Sequence, residues 1–216
     1  MAEISKVRVP IIPADLRVRT LRKLSNNEHL ESLRVKDCVL GSNDARAMAI
    51  DGVVFENDEI SSCKLRKSSL ADVVFTNCLL FGTDFDGSGW LRVELTGGTF
   101  SGLALSACSL QDVKFSRAKL NLANFRMSTL KRVSFVDCEL SEADFQGADL
   151  TDIEFKNCDL DQAEFSGSKM NRVDMRSSNI SSLKGVSSLN GVTITTAQMI
   201  GIAHLMASEL GLLVRD

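Results

Sequence analysis

The sequence predicts an all-β solenoid: a parallel quadrilateral β-helix, twenty residues per coil, closed by a C-terminal α-helical cap. Three observations predict it. Every fifth residue from Ile50 to Ile180 is apolar without exception. From Leu110 to Phe165 these positions alternate strictly between Leu and Phe. A second period marks every fourth pentapeptide: Val53, Val73, Val93, Val113, Val133, Ile153 and Val173 recur at twenty-residue intervals.

A period of five suits neither common element. Five steps on an α-helix rotate about 140° off the starting face. On a flat strand, five steps invert the face each time. A chain that turns a corner every five residues can bury all of these positions, with the central residue and the one two before it pointing inward. The residue two before the centre is usually small or β-branched, as at Ala118, Ala123, Ser128, Cys138, Ala143 and Ala148. The Val marker returns after four pentapeptides, so the coil has four sides. Phe55, Phe75, Phe115, Phe135 and Phe155 then line one wall, and Phe85, Phe125, Phe145 and Phe165 the opposite one. The clear repeats give six to seven coils, a rod about 30 Å long at the spacing of hydrogen-bonded strands.

Taken in order, residues 1–29 form the first segment and carry both prolines, Pro10 and Pro13, and a basic run of Arg17, Arg19, Arg22 and Lys23. They are read as an N-terminal cap over a sticky end coil, the basic run being a solvated face. The repeats occupy 30–190, with the register starting near Leu30 and Val35 and slipping at Ala45. Residues 82–102 hold six of the fourteen glycines, and Trp90 replaces Leu at a core position. Either the coil repacks around one indole, or Leu79, Phe81 and Leu91 point outward as an apolar patch for a partner. Residues 191–216 change period. Thr195 and Gln198 spell a helix capping box, and Gly211 marks the helix end. Met199, Ile202, Leu205, Met206, Leu210 and Leu213 follow helical spacing, with Ile200 widening the stripe. This segment is read either as a simple cap or as a cap that also dimerises the rod tail to tail.

Composition and motifs narrow the function. A net charge of −3 argues against direct nucleic-acid binding through a basic patch. No apolar run is long enough to span a membrane, and the N-terminus does not read as a signal peptide, so a cytoplasmic protein is expected. The six cysteines, Cys38, Cys63, Cys78, Cys108, Cys138 and Cys158, share one phase of the five-residue period with no CxxC, which makes them core thiols. Only His29 and His204 are available as imidazoles, and no phosphate-binding, dinucleotide or hydrolase motif occurs. No enzyme, no cofactor and no metal are expected.

Charge is the informative feature. One corner reads Asp72, Arg92, Asp112, Arg132, Asp152, Arg172, an alternating ladder of exposed pairs that avoids stacking like charges. Residues 137–164 carry ten acids against one base, Lys156. Folding stacks Glu139 under Asp159 and Asp144 under Glu164, and brings Glu142 near Asp161. With Asp137, these make an acidic wall on two adjacent sides and a candidate interaction surface.

The run S-F-V-D-C-E-L-S-E-A-D-F-Q-G-A-D-L-T-D-I-E-F-K-N-C-D-L-D-Q-A-E-F resembles the pentapeptide-repeat family, whose pattern is A-(D/N)-(L/F)-X-X. Leu110 to Phe165 match tightly, and residues 40–105 match at the centres. The resemblance implies a right-handed coil. It also implies two functions: a non-enzymatic scaffold or protein-interaction module, or, as in the quinolone-resistance branch, a dimeric DNA mimic that binds a type II topoisomerase such as DNA gyrase. The sequence departs from that branch in its small net charge, its neutralised ladder and its lack of a long loop between coils.

Overall fold

The computed structural model describes residues 4–213. The chain winds a right-handed, four-sided parallel β-helix. Its strands are β1 (Arg17–Arg19), β2 (His29–Glu31), β3 (Leu33–Lys36), β4 (Val39–Gly41), β5 (Ala49–Glu56), β6 (Glu59–Ser61), β7 (Ser69–Thr76), β8 (Gly89–Thr96), β9 (Ser109–Ser116), β10 (Thr129–Val136), β11 (Asp149–Lys156), β12 (Lys169–Asp174) and β13 (Val192–Thr193). One sheet runs through β5, β7, β8, β9, β10, β11 and β12 in chain order, every pair parallel. Its register is the twenty-residue period: Val53 faces Val73, Val113 faces Val133, Val133 faces Ile153. These long strands bend across two walls, the first centred on Leu110, Leu130 and Leu150, the second on Phe115, Phe135 and Phe155. Walls three and four, centred on Leu120, Leu140, Leu160 and on Phe125, Phe145, Phe165, are stitched mostly by single bridges such as Lys119–Glu139 and Asp144–Glu164.

The expected slip at Ala45 does not occur. Asp44 bridges Lys64 one coil on, and Ala45 is fully buried. A methyl at a centre position leaves the backbone ladder intact, so the loss of a large side chain there changes packing and not register.

The core is a column of rings. Phe115, Phe135 and Phe155 stack face to face at 4.9 and 5.0 Å, and Phe125, Phe145 and Phe165 at 4.7 and 4.9 Å. The columns meet edge to face, Phe125 against Phe135 at 5.9 Å and 88°. Each ring thus combines an offset-stacked and a perpendicular neighbour, the two favoured aromatic geometries. The coil at Trp90 turns this pattern by one wall. Its centres are Trp90, Leu95, Phe100 and Leu105, so its rings sit on walls one and three, between coils whose rings sit on two and four. Trp90 packs edge-on against Phe85 at 5.2 Å. Two rings and two leucines still fill the cross-section, and volume is conserved. The Trp90 indole N–H is buried without an acceptor. Gly98, two coils below Cys138 in the same column, has φ +88°, and a Cβ there would lie 2.2 Å from the Cys78 carbonyl oxygen. Only glycine permits that approach.

All six cysteines are free and buried. Burial pushes the Cys78 and Cys108 thiols up to about 11 and about 12, so both stay protonated. Their position explains why Ser and Cys interchange there. Cys108 and Cys158 Sγ donate to the Phe85 and Phe135 carbonyls, as Ser128 and Ser178 Oγ do to Leu105 and Phe155. Each small inward group satisfies a carbonyl of the preceding coil.

The C-terminal helix α1 spans Thr196–Glu209. Its capping box is formed: Thr195 Oγ1 accepts from the Gln198 N–H, and Gln198 Oε1 from the Thr195 N–H. Gln198 Nε2 also donates to the Met175 and Ser178 carbonyls of the last coil. At the other end the Leu212 N–H reaches the Ala207 carbonyl and the Gly211 N–H that of Ser208, with Gly211 at φ +70°. This is a Schellman stop. Among the described residues no helix is long and apolar enough to cross a membrane.

Candidate functional site: two charged edges of the rod

Residues 21–24 cover the first coil, with Leu21 and Leu24 buried and the Leu21 N–H on Cys38 Sγ. Residues 4–13 do something else. They run along the outside of the rod, against the direction of coil growth, over the corner between walls one and two. The Ser5, Arg8 and Ile11 N–H groups donate to Oδ1 of Asp152, Asp112 and Asp72, at 3.3, 3.2 and 2.8 Å. The spacing is a match of two periods. Three extended residues cover about 9.3–9.9 Å. Two coils at about 4.8 Å cover about 9.6 Å. Ile4, Val7 and Pro10 are accordingly half-buried, while Val9 and Ile11 are 70% and 71% exposed. Pro13 lies over Gly52, where a Cβ would come within 2.9 Å of its ring. Gly52 takes the ladder position one coil below Asp72.

The Asp/Arg ladder is therefore a correction to its reading as exposed pairs of little consequence. Arg92, Arg132 and Arg172 each grip the Asp one coil below through Nε and Nη2, at 2.5–2.7 Å. The Asp112 side chain is 1% exposed and that of Arg132 14%. Each Asp thus takes a bidentate guanidinium and a backbone N–H, both charge-assisted. The Arg172 guanidinium, outweighing burial, holds the Asp152 carboxyl down at about 2, with the Ser5 N–H adding to it. Arg92 lowers Asp72 in the same way. At Asp112 burial pushes upward, but Arg132 and the Arg8 N–H prevail and the carboxyl lies below its usual range.

The acidic wall forms on walls three and four, diagonally opposite. Glu139 is bridged to Asp159, and Asp144 to Glu164, and the Glu142 N–H donates to the Asp161 carbonyl. Asp137, Glu139 and Glu142 are exposed, and Asp144, Asp159, Asp161 and Glu164 half-buried. The like-charge stacks are two coils high. Lys119 lies below Glu139, Asn179 above Asp159 and Lys184 above Glu164, while Arg126 pairs with Asp144 at 2.9 Å. Several acids are also tied down: Asp161 accepts from Ser182 Oγ, Asp159 from Asn179 Nδ2, Asp137 from Asn157 Nδ2.

The proposed apolar patch is split. Leu79 and Phe81 are exposed on wall three, where Val39 is also exposed two coils below Leu79. Leu91 pairs in register with Ala71 and Gln111 on wall one, the opposite wall. The helix residues divide too. Ile202 is buried, and Leu205 and Met206 pack on the rod's end. Met199, Ile200, Leu210 and Leu213 are exposed, Leu213 at 83%. No group of three or more His, Cys, Asp or Glu among the described residues is placed to hold a metal ion.

The family profile for the pentapeptide repeat region matches residues 88–165 and 108–184. No curated protein sequence matches the chain. Among solved structures, HetL from the cyanobacterium Nostoc sp. strain PCC 7120, a pentapeptide repeat protein involved in heterocyst differentiation regulation, is 17% identical; the match covers 81% of this chain and 86% of HetL, with a TM-score of 0.49. QnrB1, a plasmid-mediated fluoroquinolone resistance protein, is 19% identical over 94% of this chain and 100% of the QnrB1 chain, with a TM-score of 0.36. Rfr23 from the cyanobacterium Cyanothece 51142 is 15% identical over 64% and 88%, with a TM-score of 0.31. Residues 88–184 thus carry the pentapeptide repeat, and the chain before them keeps the same twenty-residue coil, with Phe and Leu among its stacked centres.

Proposed function

We propose that this protein is a non-enzymatic interaction scaffold, a rigid rod that offers its acidic third and fourth walls to a protein partner. The observation that carries the reading is the stacking of Glu139 on Asp159 and of Asp144 on Glu164. Like charges on neighbouring strands cost stability, and the Asp/Arg ladder avoids them by alternation; single acidic pairs also occur at Glu31 on Asp51 and at Glu154 on Asp174, whereas walls three and four set two such stacks side by side. A cost retained at one place is accounted for by a contact that uses it. The partner surface is basic, and its association falls with salt. The test compares the wild-type rod with a Glu139→Lys, Asp159→Lys, Asp161→Lys variant, both immobilised and both confirmed folded by circular dichroism. Proteins retained by the first and lost from the second, quantified by mass spectrometry, support the reading. Identical retention overturns it.

The same stacks favour a second, narrower reading, a DNA mimic that binds DNA gyrase. A rod of duplex-like width with regular negative charge is steered electrostatically towards a DNA-binding groove. Lys119, Lys184 and Arg126 interrupt the negative surface and favour the broader reading over this one. Supercoiling by purified gyrase, with and without a fluoroquinolone and with the rod titrated to micromolar concentration, separates them. Inhibition or drug protection that the triple charge reversal abolishes supports mimicry; no effect on either removes it.

We also propose that Met199, Ile200, Leu210 and Leu213 join two rods tail to tail. They form the exposed remainder of the helix stripe after Ile202, Leu205 and Met206 have packed on the last coil. Light scattering of the wild type should give a dimer mass, and Ile200→Asp with Leu213→Asp a monomer.

A further inference from the structure

We infer that the Asp72–Asp112–Asp152 edge is a peptide-docking track, that residues 4–13 are its resident occupant, and that an extended segment from another chain with an apolar residue at every third position can replace them. The track recognises backbone. Its three backbone contacts are N–H groups of Ser5, Arg8 and Ile11 on carboxylate oxygens, so the main chain carries the recognition, with the Ser5 side chain and the Arg8 charge adding to the hold on Asp152 and Asp112. Selection comes from period. An occupant must present an N–H every third residue in step with every second coil, and must place apolar side chains where Ile4, Val7 and Pro10 lie. Chains that already favour a three-residue extended helix meet this demand at low entropic cost.

Two features make the resident segment exchangeable. It lies outside the continuous core, whose buried residues begin at Leu21. It also stands away from wall two, leaving an open groove of about 900 Å³ beside Val7, Lys114, Ser134, Glu154 and Arg176. Release therefore uncovers three N–H contacts and a few half-buried side chains while the coils stay paired. The Arg partners remain on the carboxylates after release, so the empty track stays organised for the next occupant. While residues 4–13 are seated the track is closed. A tethered segment has a high effective concentration, so a competing chain gains access only when the tether is cut or held elsewhere.

The experiment places a protease site between Pro13 and Ala14 of the full chain. The protein folds intact and is then cleaved. A fluorescent peptide of residues Ile4–Pro13 is added in excess and its anisotropy followed. The cleaved protein should take up the peptide saturably at one site with micromolar affinity, and the intact chain at least 100-fold more weakly. Methylating the Arg8 backbone nitrogen removes a donor to a charged acceptor and should weaken uptake at least about tenfold. Methylating Val9 should change it by less than about twofold. Val7→Asp in the peptide should abolish uptake, and Val9→Asp should leave it. A resident segment that never exchanges, a vacated protein that takes up no peptide, or equal uptake of the two methylated peptides would each overturn the inference. The peptide variants leave the rod untouched, so misfolding cannot imitate these outcomes. The acidic walls play no part in this test, and its failure leaves the proposed scaffold function standing.

Discussion

Along the corner between walls one and two, carboxylate and guanidinium alternate coil by coil; on walls three and four, between residues 137 and 164, carboxylate stacks on carboxylate. Both edges use the same device, a side chain repeated every twenty residues about 4.8 Å apart. At the first edge the Asp side chains are 1–11% exposed and each receives three donors. At the second the acids stay in or near solvent and share Ser, Asn and Arg neighbours. The difference teaches that a solenoid amplifies charge order. Alternation lets the chain bury charges, because each carries its counter-charge one coil away. Repetition keeps charges at the surface, where water screens them, and leaves them for a partner.

The comparison breaks most visibly at its most buried pair. Asp112→Ala strands the Arg132 guanidinium and should cost about 3 kcal/mol in urea unfolding. Glu139→Ala, at the exposed edge, should stay within about 0.5 kcal/mol of wild type. An equal loss at both positions would mean the two edges do not differ. Next in size is removal of residues 1–13, which takes away three hydrogen bonds to charged acceptors, each worth about 1.5–3 kcal/mol, but frees the segment's conformational entropy, for a net loss of about 2 kcal/mol; a melt of the truncated chain measures it.

Acid sharpens the contrast. Asp72, Asp112 and Asp152 have carboxyls held below their unfolded value of about 3.9. Groups depressed in the folded state contribute stability that is present above the unfolded value and lost as pH falls through the folded one. The ladder contribution should therefore be complete above about pH 4 and decline towards about 2, the Asp152 value. The Ser5, Arg8 and Ile11 amides should lose exchange protection in that window before the core amides do. The smallest effect lies at the acidic edge. Asp159→Asn keeps an acceptor for the Asp161 N–H and relieves the stack on Glu139, and should stabilise the rod by about 0.3 kcal/mol.

The parts of the fold legible in the sequence were the ones governed by local repetition. The centres from Ile50 to Ile180, the Val column, the opposed Phe walls, the capping box at Thr195 and Gln198 and the stop at Gly211 all stand where their spacing puts them. The Leu79, Phe81 and Leu91 grouping did not survive, because residues ten apart lie on opposite walls of a twenty-residue coil. The rotated coil at Trp90 was half legible: Trp90 and Phe100 were plainly core, but their relation to Leu95 and Leu105 is a statement about a cross-section. The acidic stacks were read correctly from period, while the caps of Lys119 and Lys184 emerge only when whole columns are followed to their ends. The N-terminal track was missed, although a signal existed. Ile4, Val7, Pro10 and Pro13 repeat every third residue, and Asp72, Asp112 and Asp152 every fortieth.

The amino-acid sequence by itself determined the coil, its four walls, its core rings and its helical end, because each repeat meets only its neighbours and the same short-range choice is made again and again. Only the tertiary structure decided where residues 4–13 go and what the Asp/Arg ladder is for. Those contacts join residues 61, 104 and 147 positions apart. Their partners belong to two different periods, three along an extended strand and twenty around a coil, and the two coincide only when both are laid out in space at the spacing of hydrogen-bonded strands.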